Sequence, residues 1–161
     1  MFRKLSLLAA LVGEASMAAI AFAPSASAEE PPRRPGTTLA GAGVLDAQGD
    51  GLIAVRGRMN LEVSADEGIL LVKDVDGDAV VRVDGNGRTA QWNGFTVYFG
   101  FNGTATVKAR DAGVVVVGKN IDLHVEGRGW AFLKGEGEYT VNGEGPFPWS
   151  PEGGFAGIPA E

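Results

Sequence analysis

Three aromatic side chains are the residues of this sequence best suited to binding a ligand by stacking. Trp92 and Tyr98 lie in the run QWNGFTVYFGFNG, and Trp149 lies near the C-terminus. Phe95 and Phe99 share a parity that we expect to face the core, which places Tyr98 on the other face of the same strand. The three rings could form a platform of the kind that stacks on sugars. Isolated surface aromatics are common, so a carbohydrate or small-ligand site is the alternative and not the first expectation.

An acidic run at 73–87, KDVDGDAVVRVDGNG, is the best candidate for a metal site. Asp74, Asp76, Asp78 and Asp84 bring oxygen ligands close together in sequence, and Ca²⁺ takes about six to eight such ligands. The glycines and acids do not fall at the positions that an EF-hand loop requires. The same run is typical of a hairpin in which aspartates supply turn geometry. We expect the turn, with calcium at these four residues as the alternative.

His124 is the one histidine of the chain, and its surroundings do not favour catalysis. By strand parity it faces away from the core together with Asp122 and Glu126. A serine triad would need Ser64 or Ser150, and neither lies in the context of a nucleophile elbow. There is no cysteine, and nothing singles out one pair of carboxylates among the 20 Asp and Glu. The sequence therefore predicts no catalytic residue, no cofactor and no enzyme activity.

The charge balance argues against nucleic acid as a partner. The chain of 161 residues carries 14 Lys and Arg against 20 Asp and Glu, a net charge of −6. Phosphate backbones are bound by clusters of Lys and Arg, often interleaved with aromatic rings, and the sequence has no such cluster. The expected partners are another protein or a second copy of the chain.

The N-terminal residues have the pattern of a secretory signal. Arg3 and Lys4 precede an apolar stretch, and ASA at 26–28 is a small-residue cleavage pattern. We therefore predict a signal peptide at 1–28. The mature chain would be exported to the periplasm, the cell surface or the medium, with no membrane span after cleavage.

Proline marks the boundaries of the folded region. All eight prolines lie at or before Pro35 or at or after Pro146, and proline is excluded from sheet interiors because it lacks a ladder donor. The pattern predicts a linker at 29–40, a single all-β domain at 41–145 and a tail at 146–161. We expect the tail to lie outside the sheet and to fold back onto the domain or onto a partner, because Trp149 is costly to leave in water.

The body of the chain reads as short apolar runs separated by turn signals. Runs such as MNLEV and IDLHV alternate between apolar and polar residues, which is the period of a half-buried strand. Asp-Gly and Asn-Gly pairs recur between the runs and favour two-residue hairpin turns. Their spacing predicts many short antiparallel strands in a meander that forms a sandwich or small barrel. A β-solenoid, in which each strand is one side of a coil, is the alternative.

Two halves of this body align with each other. MNLEVSADEGILLVK matches IDLHVEGRGWAFLK, with Leu71 on Phe132 and Lys73 on Lys134, which predicts a two-fold internal repeat. The runs ILLV, VVVV and WAFL are apolar at every position, so we expect these strands to be covered on both faces. The cover would be the tail, a neighbouring sheet or another subunit.

Glycines separate bulky residues throughout the segment GRGWAFLKGEGEYTVNG. This pattern is similar to that of uncharacterised bacterial secreted proteins rich in short strands separated by glycine. The resemblance implies an exported β protein and carries over no catalytic residues. We therefore expect a non-catalytic, exported structural or protein-interaction module, with a carbohydrate- or small-ligand-binding module as the alternative.

Overall fold

The computed structural model describes residues 42–159, which form an all-β protein with no helix in that range. The strands are β1 (Gly43–Asp74), β2 (Val80–Trp92), β3 (Phe95–Val141), β4 (Glu144–Pro148) and β5 (Gly154–Ile158). The predicted signal peptide at 1–28 and linker at 29–40 lie outside the described residues.

The three long strands bend sharply at glycines, so each consists of several straight segments. The segments of β1 are β1a to β1d, at 43–49, 51–57, 58–66 and 68–74. Those of β2 are β2a and β2b, at 80–86 and 88–92. Those of β3 are β3a to β3f, at 95–101, 102–109, 112–119, 121–128, 129–135 and 136–141.

These segments form two sheets. The first sheet has the order β4–β3f–β1a–β3d–β1c–β3b–β2a, and the second has the order β5–β3e–β1b–β3c–β1d–β3a–β2b, with every neighbouring pair antiparallel. β1 and β3 run side by side in opposite directions, and their successive segments alternate between the sheets. Among the central segments β1a–β1d and β3a–β3d, the order of the strands in the two sheets is that of a jelly roll. The predicted antiparallel all-β sandwich is therefore confirmed, and the pairing defines the strand order.

The inner faces of the two sheets meet in one apolar core. The first sheet contributes Leu45, Ala47, Met59, Leu61, Val63, Ala65, Ala105, Val107, Ile121, Leu123, Val125 and Tyr139. The second sheet contributes Ile53, Val55, Leu70, Val72, Phe101, Ala112, Val114, Val116, Ala131, Leu133, Ala156 and Ile158. No polar or charged side chain of residues 42–159 is buried, so apolar packing holds the sheets together.

The corners between the sheets depend on glycines that face each other. Gly57 has φ +141° and pairs with Gly129 across the ladder. A Cβ on Gly57 would lie 2.2 Å from the carbonyl oxygen of Arg128, and one on Gly129 would lie 2.0 Å from that of Arg56. Only glycine allows this approach, so the two runs can bend together without breaking the ladder.

The Asp-Gly and Asn-Gly pairs serve two different purposes. Asn93–Gly94 and Asn142–Gly143 have positive φ at both residues and close two-residue hairpins, as predicted. Gly51, Gly85 and Gly103 instead lie at corners, where the chain crosses from one sheet to the other. The local sequence is the same in both cases, and the difference is whether a second glycine faces the first.

One predicted core face is wrong. Phe95 and Phe99 were expected to face inward and Tyr98 outward, but Tyr98 pairs with buried Leu70 and packs against the core. Phe95 and Phe99 lie on the outer face of the second sheet, where Phe95 is nevertheless buried by its neighbours and Phe99 is exposed. Gly100, with φ +68°, adds a residue to β3a opposite the Gly68–Ile69 step, and this bulge reverses the parity before Phe101.

The two members of each aligned pair of segments lie in the same sheet. Segments β1c and β3d, which the alignment matched, pair with each other in the first sheet. Leu70 and its aligned residue Ala131 both face the core, while Lys73 and Lys134 lie on the outer face of the second sheet. This is the arrangement a duplicated half would produce, and the duplication itself stays a prediction.

The C-terminal tail belongs to the sheets. β4 pairs with β3f at the edge of the first sheet, and β5 pairs with β3e at the edge of the second. The prediction that the tail folds back is confirmed, because Trp149 is 5% exposed and lies in the core between the two edges. The prediction that it lies outside the sheet is wrong, since proline is tolerated in an edge strand such as β4.

The corner geometry leads to a stability prediction. We expect Gly57→Ala to lower the free energy of unfolding by about 2–3 kcal/mol, because the new Cβ meets a backbone oxygen and the φ angle is strained. Gly157 in β5 has nothing within 4 Å of a built Cβ, so Gly157→Ala is the matched control. Urea denaturation of both variants measures the difference. Equal effects of the two changes would contradict the corner role of Gly57.

Candidate functional site

The outer faces of the two sheets have opposite chemistry. The outer face of the first sheet, here called the acidic face, is polar along three rows of cross-strand neighbours. These rows are Thr140–Asp46–His124–Glu62–Thr106–Arg82, Glu138–Gln48–Asp122–Ser64–Thr104–Asp84 and Val44–Glu126–Asn60–Lys108–Val80. Acidic side chains predominate over basic ones in these rows, as is usual for a solvated face of an acidic protein.

The outer face of the second sheet, here called the apolar face, also consists of three rows. The middle row is Phe155–Phe132–Ala54–Val115–Leu71–Val97–Ala90. The Lys134–Arg88 row is Lys134–Leu52–Val117–Ile69–Phe99–Arg88. The Trp130–Trp92 row is Trp130–Arg56–Gly113–Lys73–Phe95–Trp92. The runs ILLV, VVVV and WAFL therefore all lie in one sheet, with half of their side chains on its outer face.

The apolar face is open to solvent in the described part of the chain. Its most exposed apolar side chains are Trp92, Phe155, Phe99 and Val117, with 58%, 54%, 43% and 39% of their surface exposed. Ala54, Val97, Val115 and Phe95 are at most 8% exposed, because their neighbours on the same face shield them. All five strands belong to the two sheets, so no strand of residues 42–159 crosses this face. The loop before β5 lies against one end of it, where a Cβ on Gly153 would meet the ring of Phe132. The tail therefore supplies the expected second cover only at the β3e end of the face, through Gly153 and Phe155, and does not extend over the other segments of the second sheet.

Aromatic rings and cations are part of the apolar face. Phe155 packs against Trp130 and Phe132, with ring centres 5.5 and 5.0 Å apart. At the other edge the ammonium of Lys73 lies 5.4 Å from the ring centre of Phe95. Such cation–π contacts hold a charged group over an apolar surface. The face therefore has an apolar middle with charged and aromatic side chains around it.

His124 lies on the acidic face in contact with two carboxylates. Its Nδ1 donates to Oδ1 of Asp46 at 2.6 Å, and its Nε2 lies 3.6 Å from Oε1 of Glu126. The hydrogen bond to Asp46 raises the pKa of His124 above its ordinary value of 6.5, although partial burial opposes the shift. No serine is recorded in contact with the ring among the described residues, so this group is a surface ion pair in the structure.

The four aspartates proposed as calcium ligands have different surroundings. Asp74 accepts hydrogen bonds from the backbone N–H groups of Gly77, Asp78 and Ala79, which is turn chemistry. The expected hairpin is wrong, because the flanking segments β1d and β2a lie in different sheets and do not pair with each other. The Arg110 guanidinium donates to Asp78 at 2.6 Å and lowers the pKa of that carboxyl.

The other two aspartates do not join them in one cluster. Asp76 is exposed in the loop, and Asp84 pairs with Thr104 on the acidic face. No three His, Cys, Asp or Glu side chains of residues 42–159 come together as a metal site.

The three aromatic residues proposed as a ligand platform lie in three places. Trp92 is exposed at the β2b edge of the apolar face, and Tyr98 faces the core from the next strand. Trp149 is buried at the opposite side of the sandwich, where its Nε1 donates to the carbonyl oxygen of Glu138 at 3.1 Å. The structure therefore does not bring the three rings onto one surface.

Two open depressions lie along the glycine corners. One of 610 Å³ is lined by Ile69 and Val117 of the apolar face and by residues of the adjacent corners. One of 270 Å³ includes Asp50 and Asn120, where the Asn120 N–H donates to Oδ1 of Asp50 at 2.7 Å. The side-chain amide of Asn120 also donates to Asp66 at 2.9 Å. These polar contacts hold the corner together and leave the apolar face as the candidate site.

Comparison with known proteins adds no assignment: no family model, no curated protein and no solved structure matches this chain. Residues 42–159 contain no helix with the length and apolarity needed to span a membrane. The sequence signal for the candidate site was the set of fully apolar runs. It did not reveal that they share one sheet, or that Lys73, Arg88 and Lys134 lie beside them.

The positions of Trp149 and Trp92 lead to opposite expectations for stability. We expect Trp149→Ala to lower the free energy of unfolding by about 3–5 kcal/mol, because it leaves a cavity in the core. Trp92→Ala removes an exposed ring and should cost less than about 1 kcal/mol. Chemical denaturation monitored by circular dichroism tests both. A small effect of Trp149→Ala would show that the tail does not close the core.

The His124 ion pair leads to a pH prediction. Because the pKa of His124 is raised in the folded state, the pair adds stability that is fully present below the unfolded-state pKa and is lost as the pH rises through the folded-state value. Asp46→Asn should move the pKa of His124 down, as measured by NMR titration of the imidazole protons. Glu126→Gln should move it less, since that carboxylate is farther from the ring. The reverse order of the two shifts would contradict the assignment.

Proposed function

We propose that this protein is a non-catalytic, exported structural or interaction module that binds through its apolar face. The single observation that carries the proposal is the three-row apolar face, which residues 42–159 cover only at its Phe132 end. A sheet of a small sandwich normally has a polar outer face, as the first sheet of this protein does. The second sheet departs from that rule across its whole width, so its outer face has a role other than contact with water.

The size of the face is suitable for a specific contact. Seven strands at about 4.8 Å spacing and five residues at about 3.3 Å rise give a footprint on the order of 500 Å². The largest apolar patch on a typical monomer is about 300–600 Å² and is often functional, while a stable interface buries about 800 Å² from each partner. The footprint of the apolar face, which already includes its cations and rings, lies within the first range and below the second value. A contact of this size is consistent with an attachment surface.

Two further observations support a role without chemistry. The ionisable groups with shifted pKa values, Asp78, Arg110 and His124, are in surface ion pairs. The depressions at the corners are lined by residues that hold the fold together. Functional pKa shifts are instead expected in clefts with convergent polar groups.

The proposal also includes export of the chain and duplication of one half of its β domain. The signal pattern at 1–28 would take the chain out of the cytoplasm, where an uncovered apolar face can meet its partner after folding. Duplication of one half would account for the similar outer positions of β1d and β3e, which carry Leu71 and Phe132 in the same row. Both statements rest on the sequence pattern.

A dye-binding experiment tests the role of the apolar face. The double variant Phe99→Gln/Val117→Thr removes exposed apolar surface without touching the core, so it should bind the uncharged dye Nile red at half the wild-type level or less. Glu62→Gln/Thr106→Ser on the acidic face is the matched control and should bind as the wild type does. Wild-type protein that binds no more dye than the Phe99/Val117 variant would end the proposal.

A further inference from the structure

We propose that the partner of the apolar face is an anionic lipid surface, on which the second sheet lies flat. This inference rests on the proposed function and names the partner of the same site. The proposed function uses only the hydrophobicity of the apolar face, and this inference also uses its charge. Cations and tryptophans beside an apolar surface are what a protein needs to lie in the interface of a membrane with anionic headgroups.

Charge is strongly separated between the two outer faces. The three rows of the apolar face contain Arg56, Lys73, Arg88 and Lys134 and no acidic residue. Asp111, outside the rows, forms an ion pair with Arg56 at 3.7 Å, so the positive charge of the face is carried mainly by the two lysines and Arg88. The rows of the acidic face contain six carboxylates against Arg82 and Lys108. The chain as a whole carries more acidic than basic residues, so an acid-free face of this extent is a marked departure from its average. An anionic surface would attract the apolar face and repel the opposite one, which orients the molecule.

The placement of the charges suits a planar interface. Lys134 and Arg88 stand at the two ends of one row, and Trp130 and Trp92 stand at the two ends of another. Long cationic side chains can keep their charged ends among headgroups while their stems cover apolar surface. Tryptophan is enriched at the depth where headgroups meet acyl chains. The fully apolar middle row lies between these groups, where contact with acyl chains is favourable.

A second copy of the chain fits this face less well. Packing two apolar faces together would bury Lys73, Arg88 and Lys134 of both copies against a surface that offers no carboxylate in its rows. A buried charge is costly unless it is paired, so the same cations that favour an anionic lipid surface oppose a face-to-face dimer. The larger depression includes Ile69 and Val117 at the corner end of the face and otherwise lies among corner residues.

Vesicle binding of the exported protein tests the inference. Sedimentation with vesicles of neutral phosphatidylcholine, with and without about one third phosphatidylglycerol, should show binding that needs the anionic lipid and weakens at high salt. Lys73→Gln/Lys134→Gln should weaken partitioning by about tenfold or more, since each cation near an anionic surface contributes several-fold. Arg82→Gln/Lys108→Gln on the acidic face is the matched control. It changes the net charge equally and should bind as the wild type does.

The outcomes separate this inference from the proposed function. Equal binding to neutral and anionic vesicles, or equal weakening by both double variants, would overturn the anionic surface. No vesicle binding together with Nile red binding that depends on Phe99 and Val117 would also overturn it. In that case the apolar face remains an attachment site and its partner is a protein. A stable dimer without lipid that Phe99→Gln/Val117→Thr dissociates would identify a second copy as the partner.

Discussion

Contact between facing glycine backbones is the constraint on which the rest of the structure depends. At Gly57 and Gly129, and again at Gly85 and Gly103, the backbones approach so closely that a Cβ on either residue would meet a carbonyl oxygen. At these two corners both runs have a glycine, so both can bend at the same level and keep the ladder continuous. The corner between β3b and β3c, opposite Gly57 and Met59, is instead made at Arg110 and Asp111 without glycine. The abundance of glycine follows from the number of corners.

The corners place consecutive segments of the chain in two sheets that have different surroundings. Because successive segments of β1 and β3 alternate between sheets, strands that follow each other in sequence meet different surroundings. The alternating runs MNLEV and IDLHV form neighbouring segments of the first sheet, and their polar positions reach solvent. The fully apolar runs belong to the second sheet, and only half of their side chains are needed for the core. The apolar face is the other half, so it is built into the pattern of the strands.

The sequence predicts the inner faces well and the relations between segments poorly. The cost of leaving an indole ring in water predicted the burial of Trp149, and strand parity identified Leu61, Leu123 and their neighbours as core. It misplaced Tyr98, because one extra residue at Gly100 reverses the parity and nothing local distinguishes this glycine from the others. It also could not separate corner glycines from hairpin glycines, since the distinction is a second glycine far away in the chain. The internal alignment matched the fully apolar runs and the two lysines that lie on the apolar face. An alignment of strands does not say which of their two faces is buried, so it could not predict that face.

Net charge conceals the separation of charge between the two outer faces. A value of −6 and the absence of a basic run in the sequence argue against an anionic partner, yet Lys73, Arg88 and Lys134 gather on one face from strands that lie far apart in the chain. A sandwich with alternating segments collects every second residue from several distant strands onto one surface. Its outer chemistry therefore depends on register and not on local composition. The electrostatic field that a partner meets is that of one face, because charges on the far side of the sandwich are separated from it by the core and largely screened by salt.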